Sequence, residues 1–201
     1  ARFLFRSGVQ WRHTFSDLVA WSHPDYPLLI PAVVARCWAY IGHETVVVPA
    51  VVSMLFTFAT VGLLFSSLSI LRSRSQGFLG GLVRLGTPLF IRQGASQQAD
   101  VPLGFFFLAT IVLFCLQDRL SKNDYSLVYL AGMTAGFSAW TKNEGLLFLA
   151  SVIASRLTIT GLVKGSRAFL RQAFAFTAGL APILVTILYF KTQLAPPNDL
   201  L

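Results

Sequence analysis

Long apolar runs alternate with short polar stretches along this chain. A helix needs about 20 apolar residues to cross a hydrocarbon core of about 30 Å. Several runs approach or exceed that length, so the pattern predicts an all-α, polytopic transmembrane helical bundle. The predicted spans lie at 45–70, 101–116 and 173–190, an interrupted segment lies at 77–91, and two shorter apolar helices lie at 126–140 and 145–159.

The first 44 residues have a different character. Residues 1–22 mix Trp, Phe and Arg, which is typical of a segment lying at the membrane interface. Three prolines follow between residues 24 and 31, and a short helix is predicted from Ala32 to Tyr40. Because the chain begins with Ala1 and shows no signal peptide, we expect an internal piece of a longer protein. The predicted division is a single domain, incomplete at both ends, with an outer loop and interfacial helices at 1–44, a transmembrane region at 45–190 and the start of a further outer loop at 191–201.

Composition excludes an ordinary soluble domain. Hydrophobic residues make up 55% of the chain, charged residues make up 12%, and the mean hydropathy is +0.66. A soluble domain of 201 residues cannot bury that much apolar surface. Cys37 and Cys115 lie in apolar surroundings far apart in sequence and are interpreted as buried, unreactive thiols.

The net charge of +8 would suggest a nucleic-acid partner in a soluble protein. Here the basic residues gather in alternate loops, eight in one set and three in the other. Since basic loops stay in the cytoplasm, the second set is predicted to face outward, and we expect membrane lipids rather than nucleic acid as partners. The first set is 71–76, 117–125 and 156–172, and the second is 92–100, 141–144 and 191–201.

Three polar clusters interrupt the apolar pattern, at 23–27, 97–100 and 141–145. Counting the spans between them puts all three on the predicted outer side, together with six of the eight acidic residues. Charged groups at the lipid boundary are costly unless they face water, protein or a substrate. The clusters therefore predict the mouth of an active site.

Each cluster also has a simpler structural interpretation. Asp100 can cap the helix that follows it, or its carboxylate can meet an acceptor, a sugar or a metal. Lys142 can pair with Glu144 across a tight hairpin, or it can meet a phosphate at the bilayer surface. The catalytic candidate is Asp100, and the candidate substrate-binding residues are His23, Asp25, Tyr26, Gln98, Lys142 and Glu144.

The cluster at 23–27 could be a plain interfacial turn whose Tyr26 belongs to an aromatic belt. Its prolines stiffen the backbone, which favours a positioned functional group. For a divalent metal, Asp25 and Asp100 are candidate ligands, and His23 could assist Asp25. Two potential ligands are too few to define a metal site, so the metal requirement stays open.

No P-loop, GxGxxG, HExxH, CxxC or GxSxG pattern is present, which disfavours nucleotide-driven and hydrolase chemistry. The main alternative to an enzyme is a transporter or lipid-linked-sugar permease. Such a protein should place ionisable groups near the bilayer midplane, whereas most of those here lie at span ends. A non-catalytic scaffold gives no reason for the outward acids.

The same clusters, in this order, resemble motifs of the bacterial GT-C membrane glycosyltransferases, among them relatives of the protein O-mannosyltransferases and the aminoarabinose transferases. The resemblance implies inverting transfer of a sugar from a polyprenyl-phosphate-linked donor to a lipid, glycan or protein acceptor, at the periplasmic face of a bacterial inner membrane. Asp100 matches the acid of the second outer loop, and Lys142 is assigned by its chemistry to the donor phosphate. The matching stretches are His-Pro-Asp-Tyr-Pro-Leu-Leu-Ile-Pro at 23–31, Ala-Asp-Val-Pro-Leu at 99–103 and Ala-Trp-Thr-Lys-Asn-Glu-Gly-Leu-Leu at 139–147.

The resemblance also implies a residue that this chain lacks. The main catalytic Asp of the family lies just after the first transmembrane helix, which would place it upstream of residue 1. Asp17 is available as a substitute but sits in no matching motif. We therefore expect the chain alone to be inactive.

Overall fold

A computed structural model of the protein describes residues 1–16, 25–120, 124–163 and 165–196. Within these ranges the chain is almost entirely helical and contains no strand. A short 3₁₀ helix, Gly8–Phe15, follows the first α-helix. The α-helices are α1 (Arg2–Arg6), α2 (Leu29–Ile41), α3 (Val47–Leu71), α4 (Arg74–Leu85), α5 (Pro88–Ala95), α6 (Asp100–Leu120), α7 (Ser126–Thr141), α8 (Asn143–Val163) and α9 (Gly165–Gln193).

Three helices are long and apolar enough to cross a membrane: α3, α6 and the Ala168–Gln193 part of α9. They coincide with the three long spans predicted from the sequence, so the all-α membrane architecture is confirmed. The short helix predicted from Ala32 is α2, which begins earlier, at Leu29.

The prediction of a loop at 156–172 is wrong. α8 runs to Val163 and α9 begins at Gly165, so Arg156 and Arg171 lie in helices. Arg, Lys and Gln are good helix formers, and a long basic side chain at a helix end can reach the aqueous side of the membrane boundary. In this part of the chain, the end of an apolar run therefore does not mark the end of a helix.

The interrupted segment forms two short helices, as its Gly-Thr-Pro sequence predicts. α4 follows Ser73, whose Oγ accepts a hydrogen bond from the backbone N–H of Gln76 at 3.3 Å. α5 begins at Pro88, and proline is favoured in a first turn because no N–H partner is needed there. Beside the break, the Arg84 guanidinium lies 4.0 Å from the centroid of the Phe90 ring, a cation–π contact that gives this charge a partner in an apolar segment.

α7 packs between α6 and α9, and its buried face consists mainly of small residues, including three fully buried alanines. A Cβ added at Gly132 would lie 2.2 Å from the carbonyl oxygen of Phe176 on α9. A Cβ added at Gly179 of α9 would lie 2.0 Å from the carbonyl oxygen of Tyr129. The backbones of α7 and α9 are therefore in direct contact, as small residues allow between membrane helices.

The bundle has two polar ends. The start of α6, the turn between α7 and α8, and the end of α9 meet at one of them, called the cavity end below. At the opposite end, called the far end, Arg156 of α8 donates to Asp118 of α6 at 2.7 Å and to Gln172 of α9 at 3.1 Å. The described parts of all three polar clusters lie at the cavity end.

Candidate active site

The site is built on the turn between α7 and α8. Lys142 has an extended backbone, and α8 begins at the next residue, Asn143. A Cβ added at Gly145 would lie 2.0 Å from the carbonyl oxygen of Ser138 on α7. Only a glycine allows the first turn of α8 to rest directly on the last turn of α7. This contact fixes where the side chains of the turn point.

The Lys142 ammonium lies between two carboxylates. Its Nζ is 3.1 Å from Asp100 Oδ1 and 3.0 Å from Glu144 Oε1. The side chain of Lys142 is 19% exposed and that of Glu144 is 53% exposed, so water reaches the cluster from the Glu144 side. Burial lowers the pKa of Lys142, but hydrogen bonds to Glu144 and Asp100 outweigh it, and the pKa is raised above its ordinary 10.5. Lys142 is therefore charged at neutral pH.

A cavity of about 980 Å³ opens beside this cluster. Its volume is at the upper end for small-molecule sites and can hold a sugar together with a phosphate. Aromatic and aliphatic side chains from the first 50 residues form much of the wall. The polar part of the wall includes Tyr26, Glu44, Gln98, Asp100, Thr141 and Lys142.

The amino-terminal helix covers one side of the cavity. Arg6 Nη2 donates to Glu44 Oε2 at 2.9 Å, and Arg6 Nε donates to Glu44 Oε1. The hydrogen bond from Arg6 lowers the pKa of the Glu44 carboxyl. Trp38 packs edge-on against Phe5 and donates its Nε1–H to the carbonyl oxygen of Thr45 at 2.8 Å. These contacts tie α1 to α2 and to the connection between α2 and α3.

A second polar cluster adjoins the turn between α7 and α8. Asn143 Nδ2 donates to Asp25 Oδ2 at 3.0 Å, and Asn143 Oδ1 accepts a hydrogen bond from Lys191 Nζ at 3.0 Å. Lys191 also donates to the backbone oxygen of Asp25 at 2.5 Å. Asn143 thus joins the segment before α2 to the end of α9.

The structure brings most of the predicted site residues together. Glu144 reaches the cavity cluster through its ion pair with Lys142. Asp25 contacts Asn143 and Lys191, and His23 lies outside the described residues. The predicted residues that line the cavity are Tyr26, Gln98, Asp100 and Lys142.

Sequence reasoning missed Asn143 and Lys191 as members of the site. Asn143 stands between Lys142 and Glu144, two predicted site residues, so its position in the sequence could have indicated that it also belongs to the site. Lys191 was counted only as a loop charge, and nothing near it in sequence indicates its partners. Its contacts depend on how α9 packs against α7.

A divalent metal would need more ligands than the cluster supplies. Within the described ranges, no three His, Cys, Asp or Glu side chains come together as a potential ligand set. The position between Asp100 and Glu144 is taken by the Lys142 ammonium, which pairs with both carboxylates. The residues described here therefore do not fit a metal at this point.

The described helices form a membrane bundle with a polar, lysine-bearing cavity at one end of its spans. Residues 22–194 match the protein family described as dolichyl-phosphate-mannose-protein mannosyltransferase, and the chain belongs to that family. It is thus an integral membrane glycosyltransferase of the mannosyltransferase type. No curated protein and no solved structure matches the chain significantly.

Proposed function

We propose that this protein transfers a sugar, with inversion, from a polyprenyl-phosphate-linked donor to a lipid, glycan or protein acceptor at the outer face of a bacterial inner membrane. The observation that carries the proposal is the Lys142 ammonium, which lines a large cavity at one end of the membrane helices. The phosphate of an amphiphilic donor lies at that depth of a bilayer. Membership of a family that generally uses such donors supports the assignment.

Each group of the site has a role in this reaction. An acceptor hydroxyl or amine attacks the anomeric carbon and gives its proton to a carboxylate acting as general base. The bond from that carbon to the phosphate oxygen breaks, and polyprenyl phosphate leaves with an added negative charge. The Lys142 ammonium stabilises that charge. Asp100 Oδ1 holds the ammonium at 3.1 Å, and the rest of its carboxylate faces the acceptor. Tyr26 and Gln98 offer polar groups suited to sugar hydroxyls.

The test uses the full-length protein in membranes supplied with radiolabelled polyprenyl-phosphate mannose and related donors. Lys142→Met should lower kcat/KM for donor turnover by about 100-fold, or about 2.7 kcal/mol of transition-state stabilisation, because a charge-assisted contact to the leaving phosphate is lost. Lys142→Arg keeps the charge and should retain more activity. Thr192→Val is the control, because that hydroxyl donates to Leu188 O within its own helix. Wild-type turnover by Lys142→Met would contradict the proposal.

Asp100→Asn removes a charge while keeping the shape of the side chain. A fall in turnover of at least about tenfold, or about 1.4 kcal/mol, is expected from a carboxylate that faces the acceptor. Unchanged turnover would reduce Asp100 to a helix-start residue that pairs with Lys142. If the wild type turned over no donor, the proposed reaction would be wrong, and movement of labelled donor across the membrane would test the transporter alternative.

A further inference from the structure

Asn143 follows Lys142 directly, but its amide is engaged away from the ammonium–carboxylate cluster. Both ends of the amide are used, one by the Asp25 carboxylate and one by the Lys191 ammonium. An ammonium only donates hydrogen bonds and an ionised carboxylate only accepts them. The orientation of the Asn143 amide is therefore determined by its two partners.

The contacts of Asn143 reach both walls of the cavity. Asp25 directly precedes Tyr26, and Asn143 directly follows Lys142, and both Tyr26 and Lys142 line the cavity. Lys191 additionally holds the backbone oxygen of Asp25. Asp25 and Lys191 carry opposite charges on either side of the Asn143 amide, so the three-residue cluster has little net charge.

We infer that Asp25, Asn143 and Lys191 form a positioning clasp, which holds the Tyr26 segment and the turn between α7 and α8 at a fixed separation so that Tyr26 and Lys142 face the same bound donor. This inference rests on the proposed function. It makes Asp25 a positioning residue whose carboxylate acts through Asn143. Lys191, at the end of α9, then connects the geometry of the cavity to the packing of the bundle.

The buried proline after Tyr26 strengthens the argument. Pro27 is among the most deeply buried residues of the described chain, so the backbone is anchored on one side of Tyr26 by packing. The clasp anchors it on the other side through the carbonyl and carboxylate of Asp25. A side chain held from both directions keeps its place, as a binding group requires.

The sharpest test of the clasp exchanges the hydrogen-bond donor and the hydrogen-bond acceptor between positions 143 and 25. Asn143→Asp keeps the contact with Lys191 but places a second carboxylate against Asp25, and should lower kcat/KM at least about tenfold in the full-length enzyme. Adding Asp25→Asn to that variant supplies an amide N–H again with the roles reversed. The double variant should recover to within about threefold of wild type. If the double variant is as impaired as Asn143→Asp alone, the inferred clasp is wrong.

A second readout does not require activity. Tyr26→Cys, in a background without other cysteines, reports the position of the cavity wall by its rate of reaction with a membrane-impermeant maleimide. Asn143→Ala and Lys191→Met should each raise that rate at least about fivefold, while Lys191→Arg should restore it. Thr192→Val, which alters the neighbour of Lys191, should leave the rate unchanged.

The two readouts separate the outcomes. A merely structural role would lower thermal stability but leave both the labelling rate and the kcat/KM of the folded protein unchanged, and would overturn the inference. Loss of activity without a change in labelling would show that Asn143 touches the substrate, which also overturns it. If labelling changes as expected but the wild type transfers no sugar, the clasp stands and the proposed function fails.

Discussion

Lys142, which separates α7 from α8, and Asn143, the first residue of α8, contact different groups. The ammonium of Lys142 contacts the carboxylates of Asp100 and Glu144, while the amide of Asn143 contacts Asp25 and Lys191. The division depends on the tight contact of α8 with α7, because the backbone cannot rotate to exchange the two directions.

The raised pKa of Lys142 gives the ion-pair cluster a defined pH dependence. The stability gained from charged Lys142 is fully present below its unfolded pKa of about 10.5 and is lost as pH rises through the higher folded pKa. The difference in thermal unfolding temperature between wild type and Lys142→Met should thus be constant from about pH 7 to 9.5 and shrink above about 10.5. Because the carboxylates are partly exposed, the contribution of the charged Lys142 to the free energy of unfolding should be about 1 kcal/mol or less.

Lys142→Arg is the matched variant for that measurement, since a guanidinium stays charged across the whole range. The unfolding temperature of Lys142→Arg should therefore stay above that of Lys142→Met at pH values above about 10.5, where the difference between wild type and Lys142→Met shrinks. If the difference in unfolding temperature between wild type and Lys142→Met already falls between pH 7 and 9, burial outweighs the carboxylates and the pKa of Lys142 is lowered instead of raised.

Among the elements, the pair formed by α7 and α9 depends most on the absence of side chains. Gly132 and Gly179 place the two backbones in contact, and the end of α9 brings Lys191 to Asn143. Any change that separates these helices would move the clasp as well as the core. Packing in the bundle and geometry at the cavity are therefore linked.

Gly132→Ala should destabilise the protein by about 1–3 kcal/mol, because the new methyl group meets backbone atoms that cannot move aside. The measurement is the thermal unfolding temperature in detergent. Gly104→Ala on α6 is the control, since nothing lies within 4 Å of its added Cβ and alanine favours the helix. Equal effects of the two substitutions would show that the contact with α9 does not set the cost.

The sequence was informative about elements wherever a single segment carried the signal. The long apolar runs predicted α3, α6 and the membrane part of α9, and the alternation of spans predicted that the clusters containing Asp100 and Lys142 would lie on the same side of the membrane. The loop at 156–172 was wrong because hydropathy marks the edge of the bilayer and not the end of a helix. The contact of Asn143 with Lys191 was not predictable, since it depends on the fit of α7 against α9, which no local pattern encodes.

At the scale of the whole molecule, polar interactions gather at the two ends of the bundle. The cavity end holds the ammonium–carboxylate cluster and the clasp. The far end is tied by Arg156, Asp118 and Gln172. The stretches 71–76, 117–125 and 156–172 hold eight Lys or Arg residues, against three in 92–100, 141–144 and 191–201, so the cavity end is proposed to face outward.

This orientation can be measured in intact cells with single cysteines on a cysteine-free background. Ser96→Cys, an exposed site near the start of α6, should react with a membrane-impermeant maleimide applied from outside. Ser75→Cys, exposed at the start of α4, should react only after the membrane is permeabilised. The reverse pattern would contradict the proposed orientation and move the cavity to the cytoplasmic side.

The small size of α7 has a consequence for how the protein is made. At 16 residues it is about 24 Å long, shorter than a hydrocarbon core of about 30 Å, and its small side chains give it little affinity for lipid. It is thus a poor substrate for the insertion machinery on its own. We expect α7 to enter the bilayer during synthesis only together with its neighbours, so that the turn between α7 and α8 forms late, after the helices on either side have been inserted.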